Sequence, residues 1–192
     1  MSEKRESEHN PQPFVSEEGS FTGRGIVQIR GHGKMIRPMT PEIADAKARA
    51  ILDQGLPPIV LCTVQHTASR FWLTLLQQHY GNAWPIHQPG RPLYFDHCRD
   101  SLMDSIKARV SEGAKLVTTY RSPKETWTSW ENRSVNTSDE FVEQWNNWNE
   151  WVYPNADLIV SVFQGEGSRE SSLHNVSLLT GREYVTDWKP VG

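Results

Sequence analysis

The sequence predicts an α/β protein in three layers, with a mainly parallel sheet between two layers of helices. Uninterrupted apolar runs, typical of strands buried on both faces, alternate along the chain with segments of helical periodicity. Such alternation favours parallel strands joined by helices that cross over either face of the sheet. A sheet of four or five strands is expected, and four are placed at residues 59–64, 93–96, 115–120 and 157–163.

The helices are predicted from their periodicity and from residues that favour helix ends. Thr40 and Pro41 are a typical N-terminus for a helix that ends before Gly55. Ser122 and Glu125 have the spacing of a capping box, which predicts another helix start. The remaining helices are predicted at residues 71–76, 101–110, 138–151 and 168–179.

Length and composition favour one domain. The chain has 192 residues, of which 36% are hydrophobic and 22% charged, as expected of a single globular domain. Residues 1–20 are polar and are predicted to be a flexible tail, which assigns residues 21–192 to the domain. Within it, an alternating run in residues 23–34 predicts an edge strand or a loop that covers a ligand.

Charge and hydropathy exclude several classes of protein. The chain has no run of about 18 apolar residues and a charged N-terminus, so we expect a cytoplasmic protein without a membrane span or signal peptide. A formal net charge of −3 offers no general attraction to nucleic acid, so any anion site is expected to be local. The two cysteines lack the spacing of a metal site or disulfide framework, and Cys62 is predicted to be buried and reduced.

Two predicted turns are candidates for a ligand site. Residues 65–70 follow the first predicted strand and residues 121–125 follow the third, and ligands of parallel sheets bind beyond the carboxyl ends of the strands. A helix that begins there directs unpaired N–H groups at a bound anion. The first turn lacks the pattern GxxxxGK[ST], which excludes an ordinary P-loop ATPase. The chain also lacks GxSxG, which disfavours an α/β-hydrolase.

Both turns resemble signatures of the sulfotransferase family. Residues 63–71, TVQHTASRF, are similar to the family loop TxPKSGTTW. Arg121, Pro123 and Ser129 match the family pattern RxPxxxxxS, and His97 directly follows the second predicted strand, close to where the family places a catalytic histidine. The resemblance covers residues 57–181 and implies a P-loop-like sulfotransferase fold.

The resemblance implies transfer of a sulfuryl group from 3′-phosphoadenosine-5′-phosphosulfate to a hydroxyl or amine of a small-molecule or glycan acceptor. The nucleotide product is adenosine 3′,5′-bisphosphate, and no metal, membrane or nucleic-acid partner is implied. His97 corresponds to the general base, and Arg121 and Ser129 correspond to the residues that bind the 3′-phosphate. The implied 5′-phosphosulfate site consists of His66, Thr67, Ala68, Ser69 and Arg70.

His66 stands where the family usually has a lysine that stabilises the leaving group. A histidine can do so when it is protonated beside phosphate, which makes His66 a second catalytic candidate. The alternatives are a noncatalytic nucleotide-binding module and a phosphotransferase of the nucleotide-kinase type. Should His97 not be the base, His87 is the next candidate. Trp127 and Trp130 flank Ser129, and each is a candidate to pack near the adenine.

Overall fold

The computed structural model describes residues 40–133, 137–161 and 166–184. The predicted tail at residues 1–20 and the alternating run at residues 23–34 lie outside these ranges. The described strands are β1 Ile59–Thr63, β2 Leu93–His97, β3 Lys115–Tyr120 and β4 Leu158–Ser161. The described α-helices are α1 Pro41–Leu52, α2 Ser69–Tyr80, α3 Asp100–Ser111, α4 Pro123–Arg133, α5 Ser138–Asn147, α6 Tyr153–Asn155 and α7 Glu166–Thr180.

The four described strands form one parallel sheet in the order β2-β1-β3-β4. The chain first crosses from β1 to β2 and then returns past β1 to β3, from which it continues to β4. The connections that leave β1 and β3 therefore run in opposite directions, which makes the carboxyl ends of these two strands the topological switch point of the sheet. Such a switch point is the usual ligand site of an open parallel sheet.

The sheet separates two apolar cores, which confirms the predicted three-layer architecture. On one face, Val60, Cys62 and Leu116 pack with residues of α1, α3 and α5. On the other face, Leu61 and Val117 pack with α2 and α7. Because alternate residues of each strand enter different cores, the strands are apolar along their length. This burial holds the carboxyl ends of β1, β2 and β3 in fixed relative positions.

The long helix predicted at residues 138–151 is not regular. After α5 the chain forms a π-helical turn, Trp148–Val152, and then the short α6. The buried Trp148 donates its indole N–H to the Thr118 hydroxyl at 2.8 Å, and this hydroxyl donates to the Cys62 carbonyl at 2.6 Å. These bonds join the helical layer to β3 and β1. Hydrophobic periodicity could not predict them, since they depend on polar groups from three elements.

The helix starts agree with the predicted capping residues, with one difference. The Thr40 hydroxyl accepts a hydrogen bond from the Ile43 N–H at 3.4 Å. The Ser122 hydroxyl accepts from the Glu125 N–H at 3.3 Å and donates to the Glu125 carboxylate at 3.0 Å. In a reciprocal capping box that carboxylate accepts from the N-cap backbone N–H instead. Such a box was not predicted at α5, where Thr137 and Glu140 form it.

The two cysteines lie side by side beneath the carboxyl edge of the sheet. Cys62 is in β1 and Cys98 follows β2, and both are free thiols with no exposed surface. Their Sγ atoms are 3.3 Å apart. The predicted burial of Cys62 is confirmed, and Cys98 is equally buried although its neighbours in the sequence are polar.

No helix in the described ranges is long and apolar enough to cross a membrane.

Candidate functional site

The candidate site is built on the loop between β1 and α2, at the switch point. His66 and Ala68 both have positive φ angles, of 65° and 57°. This region of backbone conformation is unfavourable for residues with a Cβ atom, so the surrounding structure must hold the loop. Strained residues of this kind cluster at functional sites.

Buried hydrogen bonds hold the loop in this conformation. The Thr67 hydroxyl donates to the Val64 carbonyl at 2.6 Å and lies within hydrogen-bond distance of the Thr119 hydroxyl. The Gln144 amide oxygen accepts from the Gln65 N–H at 3.0 Å. Thr67 and Gln144 are both about 1% exposed. The Thr67 side chain therefore holds the loop from its buried side.

No side chain caps the N-terminus of α2. Its N-cap residue is Ala68, and its first turn has no acidic residue. In contrast, α1, α4 and α5 are capped by hydroxyl groups. The positive dipole end of α2 therefore favours an anion.

The second predicted signature meets this loop. Arg121, just past β3, donates from NH1 to the His66 carbonyl at 3.0 Å, and its Nε is 3.9 Å from the Glu125 carboxylate. The Ser129 hydroxyl, in α4, is 3.5 Å from His66 Nδ1, the outer limit of a hydrogen bond. His66, Arg121 and Ser129 are thus neighbours in the structure.

Positive charge surrounds His66. Burial lowers the pKa of His66, and the charges of Arg133, Arg121 and Arg70 lower it further, in that order. In the free protein His66 is therefore neutral at pH 7. The same arginines would favour a bound polyanion, whose charge would in turn raise the His66 pKa.

His97 lies beside the loop because β1 and β2 pair in register. Thr63 is the partner of His97, and its hydroxyl and carbonyl oxygens are 3.2 and 3.3 Å from His97 Nδ1. Burial lowers the pKa of His97 to about 4, against the opposite effect of its hydrogen bond with the Thr63 backbone. His97 is therefore a neutral imidazole at pH 7, the form that can accept a proton.

The low pKa of His97 predicts a loss of stability in acid. The unfolded chain binds a proton near pH 6.5 and the folded chain near pH 4, so the stabilisation by neutral His97 is lost as the pH falls through this interval. Urea unfolding should show that His97→Gln loses less free energy of unfolding than wild type between pH 7.5 and 4.5, by roughly 2 to 3 kcal/mol. The exposed His87→Gln is the control and should follow wild type. Equal losses in all three proteins would contradict the prediction.

The remaining candidate residues differ in their exposure and in the residues they contact. Arg70 is exposed in the first turn of α2, Ser69 is buried beside it, and His87 is exposed in the turn before β2. Trp130 is 2% exposed, and its ring meets the His66 ring edge-on at 5.6 Å between centroids. Its indole N–H has no hydrogen-bond partner among the described residues. Trp127 packs edge-on against Phe141, at 5.0 Å.

Two contacts of the site were not predicted from the sequence. Gln144, which supports the Gln65 N–H, lies 79 positions along the chain in α5, and nothing in the local pattern marks it. Thr63 occupies the first position of the TVQHTASRF segment, but its contact with His97 depends on the strand register.

A cavity of about 290 Å³ adjoins Gln144 between α3 and α5, lined also by Arg99, Asp100, Ser101, Glu140 and Glu143.

In the described ranges, no group of three or more His, Cys, Asp or Glu side chains is arranged to hold a metal ion. Comparisons with protein-family models, curated proteins and solved structures gave no match to this chain.

Proposed function

We propose that this protein is a sulfotransferase that uses 3′-phosphoadenosine-5′-phosphosulfate. The observation that carries the proposal is the hydrogen bond from Arg121 to the His66 carbonyl. It joins the two segments that resemble the sulfotransferase signatures, and it does so at the switch point of the sheet. The uncapped N-terminus of α2 lies at the same place and adds a second reason to expect a bound anion.

We assign the donor groups around the loop to the two phosphate-bearing ends of the nucleotide. At the 5′ end, the backbone of Thr67, Ala68 and Ser69 would bind the phosphosulfate, together with Arg70 and His66. At the 3′ end, the phosphate would lie between Arg121 and Ser129. The charged guanidinium fork of Arg121 and the hydroxyl of Ser129 are both suited to phosphate oxygens. Trp130, whose indole N–H has no partner in the described part of the chain, would close the site beside His66.

The nucleotide would supply the sulfuryl group, and the acceptor oxygen or nitrogen would attack in line at sulfur while the bond to the 5′-phosphate breaks. His97 would accept the acceptor proton, for which it is available as the neutral imidazole at pH 7, and the charge of the bound nucleotide would raise its pKa from about 4 toward that of an effective base. His66 would become protonated near the phosphate charge and stabilise the departing bisphosphate. Catalysis of this kind depends on positioning and charge stabilisation, so preorganised side chains and backbone groups contribute most to the rate.

The test of this proposal is a comparison of ligands by calorimetry. Adenosine 3′,5′-bisphosphate should bind roughly 10- to 150-fold more tightly than 5′-AMP, the difference made by one charged hydrogen-bonded group. ATP with Mg²⁺ is the third ligand, and it should bind less tightly than the bisphosphate. Equal affinity for the bisphosphate and 5′-AMP would remove the basis of the assignment, and preference for ATP would favour the nucleotide-kinase type.

A second candidate, a nucleotide-binding module without catalysis, is favoured by one observation. The loop has His66 in place of the usual lysine, and the pKa of His66 is lowered in the free protein. Transfer of labelled sulfate to a panel of hydroxyl and amine acceptors distinguishes the two candidates, with His66→Lys as the matched variant. If both proteins bind the bisphosphate and neither transfers sulfate, the noncatalytic module is correct.

A further inference from the structure

We propose that Thr63 fixes the tautomer of His97, with the proton on Nδ1 and the lone pair on Nε2. The role of His97 as a base rests on the proposed function, whereas the tautomer is inferred from the geometry alone. Two oxygen atoms of one residue, the hydroxyl and the carbonyl of Thr63, lie 3.2 and 3.3 Å from Nδ1.

The carbonyl determines which nitrogen carries the proton. A neutral imidazole has one N–H and one lone pair, and a carbonyl oxygen can only accept a hydrogen bond. If Nδ1 carried the lone pair, it would face the lone pairs of the Thr63 carbonyl and lose that bond. With the proton on Nδ1, both Thr63 oxygens can accept from it. The hydroxyl alone would permit either arrangement, since it can donate or accept.

The environment of Thr63 strengthens this preference. Thr63 has no exposed surface, so water does not compete for its oxygens. The carbonyl also accepts from the Cys98 N–H at 3.1 Å, which holds it against the end of β2. Both bonds to Nδ1 are longer than the usual 2.9–3.0 Å, so each is weak and the two act together. Thr63 is accordingly a positioning residue that acts through His97.

The preference has a direct consequence for proton transfer. Nε2 of His97 has no hydrogen-bond partner among the described residues, and in this tautomer it carries the lone pair that accepts the proton of the acceptor. In the opposite tautomer Nε2 bears hydrogen and cannot be a base. Removing the Thr63 hydroxyl leaves the carbonyl to keep the proton on Nδ1, but it takes away one of the two oxygens that orient the His97 ring.

The tautomer can be measured in the free protein, without any substrate. In the full chain labelled with ¹⁵N-histidine, two-bond ¹H–¹⁵N correlations at pH 7.5 distinguish a protonated from an unprotonated ring nitrogen, and loss of the signal in His97→Gln assigns it. Wild type, Thr63→Ser and Thr63→Val should all be protonated on Nδ1, because each keeps the backbone carbonyl at position 63. Protonation of Nε2 in wild type, or a shift toward Nε2 in Thr63→Val, would overturn the inference.

Kinetics supply the second readout. The kcat of Thr63→Val should fall by roughly 2- to 12-fold, the effect of one neutral hydrogen bond, while the KM for the donor nucleotide stays unchanged and Thr63→Ser restores kcat. A kcat for Thr63→Val equal to that of wild type would refute a positioning role. Should no variant transfer sulfate, the proposed function fails, and the tautomer is still decided by the NMR measurement.

Discussion

His97→Ala should lower the rate of sulfuryl transfer by about 10²- to 10⁴-fold, the usual contribution of a general base. The dissociation constant of adenosine 3′,5′-bisphosphate should remain nearly unchanged, because a base acts on the acceptor proton and not on the phosphates. The two quantities are measured by transfer of labelled sulfate and by calorimetry on the same preparation. Unchanged nucleotide affinity also shows that the variant is folded.

His87→Ala is the matched control for this experiment. His87 is exposed in the turn before β2, whereas His97 lies at the end of that strand and contacts Thr63. His87→Ala should therefore transfer sulfate at the wild-type rate. The reverse result, with full activity in His97→Ala and loss in His87→Ala, would move the base to His87 and leave His97 with a structural role.

Arg121→Ala should weaken binding of adenosine 3′,5′-bisphosphate by about 1.5 to 3 kcal/mol, or roughly 10- to 150-fold. The guanidinium carries the charge assigned to the 3′-phosphate and also donates to the His66 carbonyl at 3.0 Å. Its removal therefore takes away a ligand contact and one support of the loop. Calorimetry with the bisphosphate and with 5′-AMP separates these effects, since only the first depends on the 3′-phosphate.

Two further variants help to interpret the effect of Arg121→Ala on binding. Lys124→Ala removes the same charge from an exposed position of α4, and should change the affinity little. Arg121→Lys keeps the charge without the planar fork and should give an intermediate loss. If Arg121→Ala weakens the bisphosphate and 5′-AMP equally, the residue supports the loop but does not bind the 3′-phosphate.

The positions of the strands could be predicted because burial on both faces makes each strand apolar along its length. The runs at residues 59–64, 93–96 and 115–120 agree with β1, β2 and β3 to within one residue, and β4 lies inside the run at residues 157–163. The order of the strands could not be predicted in the same way. It depends on which edges meet in three dimensions, and no local pattern encodes that.

The site was predictable only in part, for a related reason. His66, Arg121 and Ser129 could be singled out from their spacing and resemblance, and the structure places them together. The positive φ angles of His66 and Ala68 could not be predicted, because neither residue favours that conformation. The loop adopts it through tertiary bonds to Arg121 and Gln144, which are remote in the sequence.

Labelling of the buried pair Cys62 and Cys98 can report how readily this part of the sheet opens. A thiol reacts with an alkylating reagent as an accessible thiolate, and neither of these has any exposed surface. Their labelling therefore requires an opening that exposes β1 and the end of β2, so its rate reports the free energy of that opening. A ligand bound across the adjoining loop slows the labelling in proportion to its occupancy, whatever that ligand is.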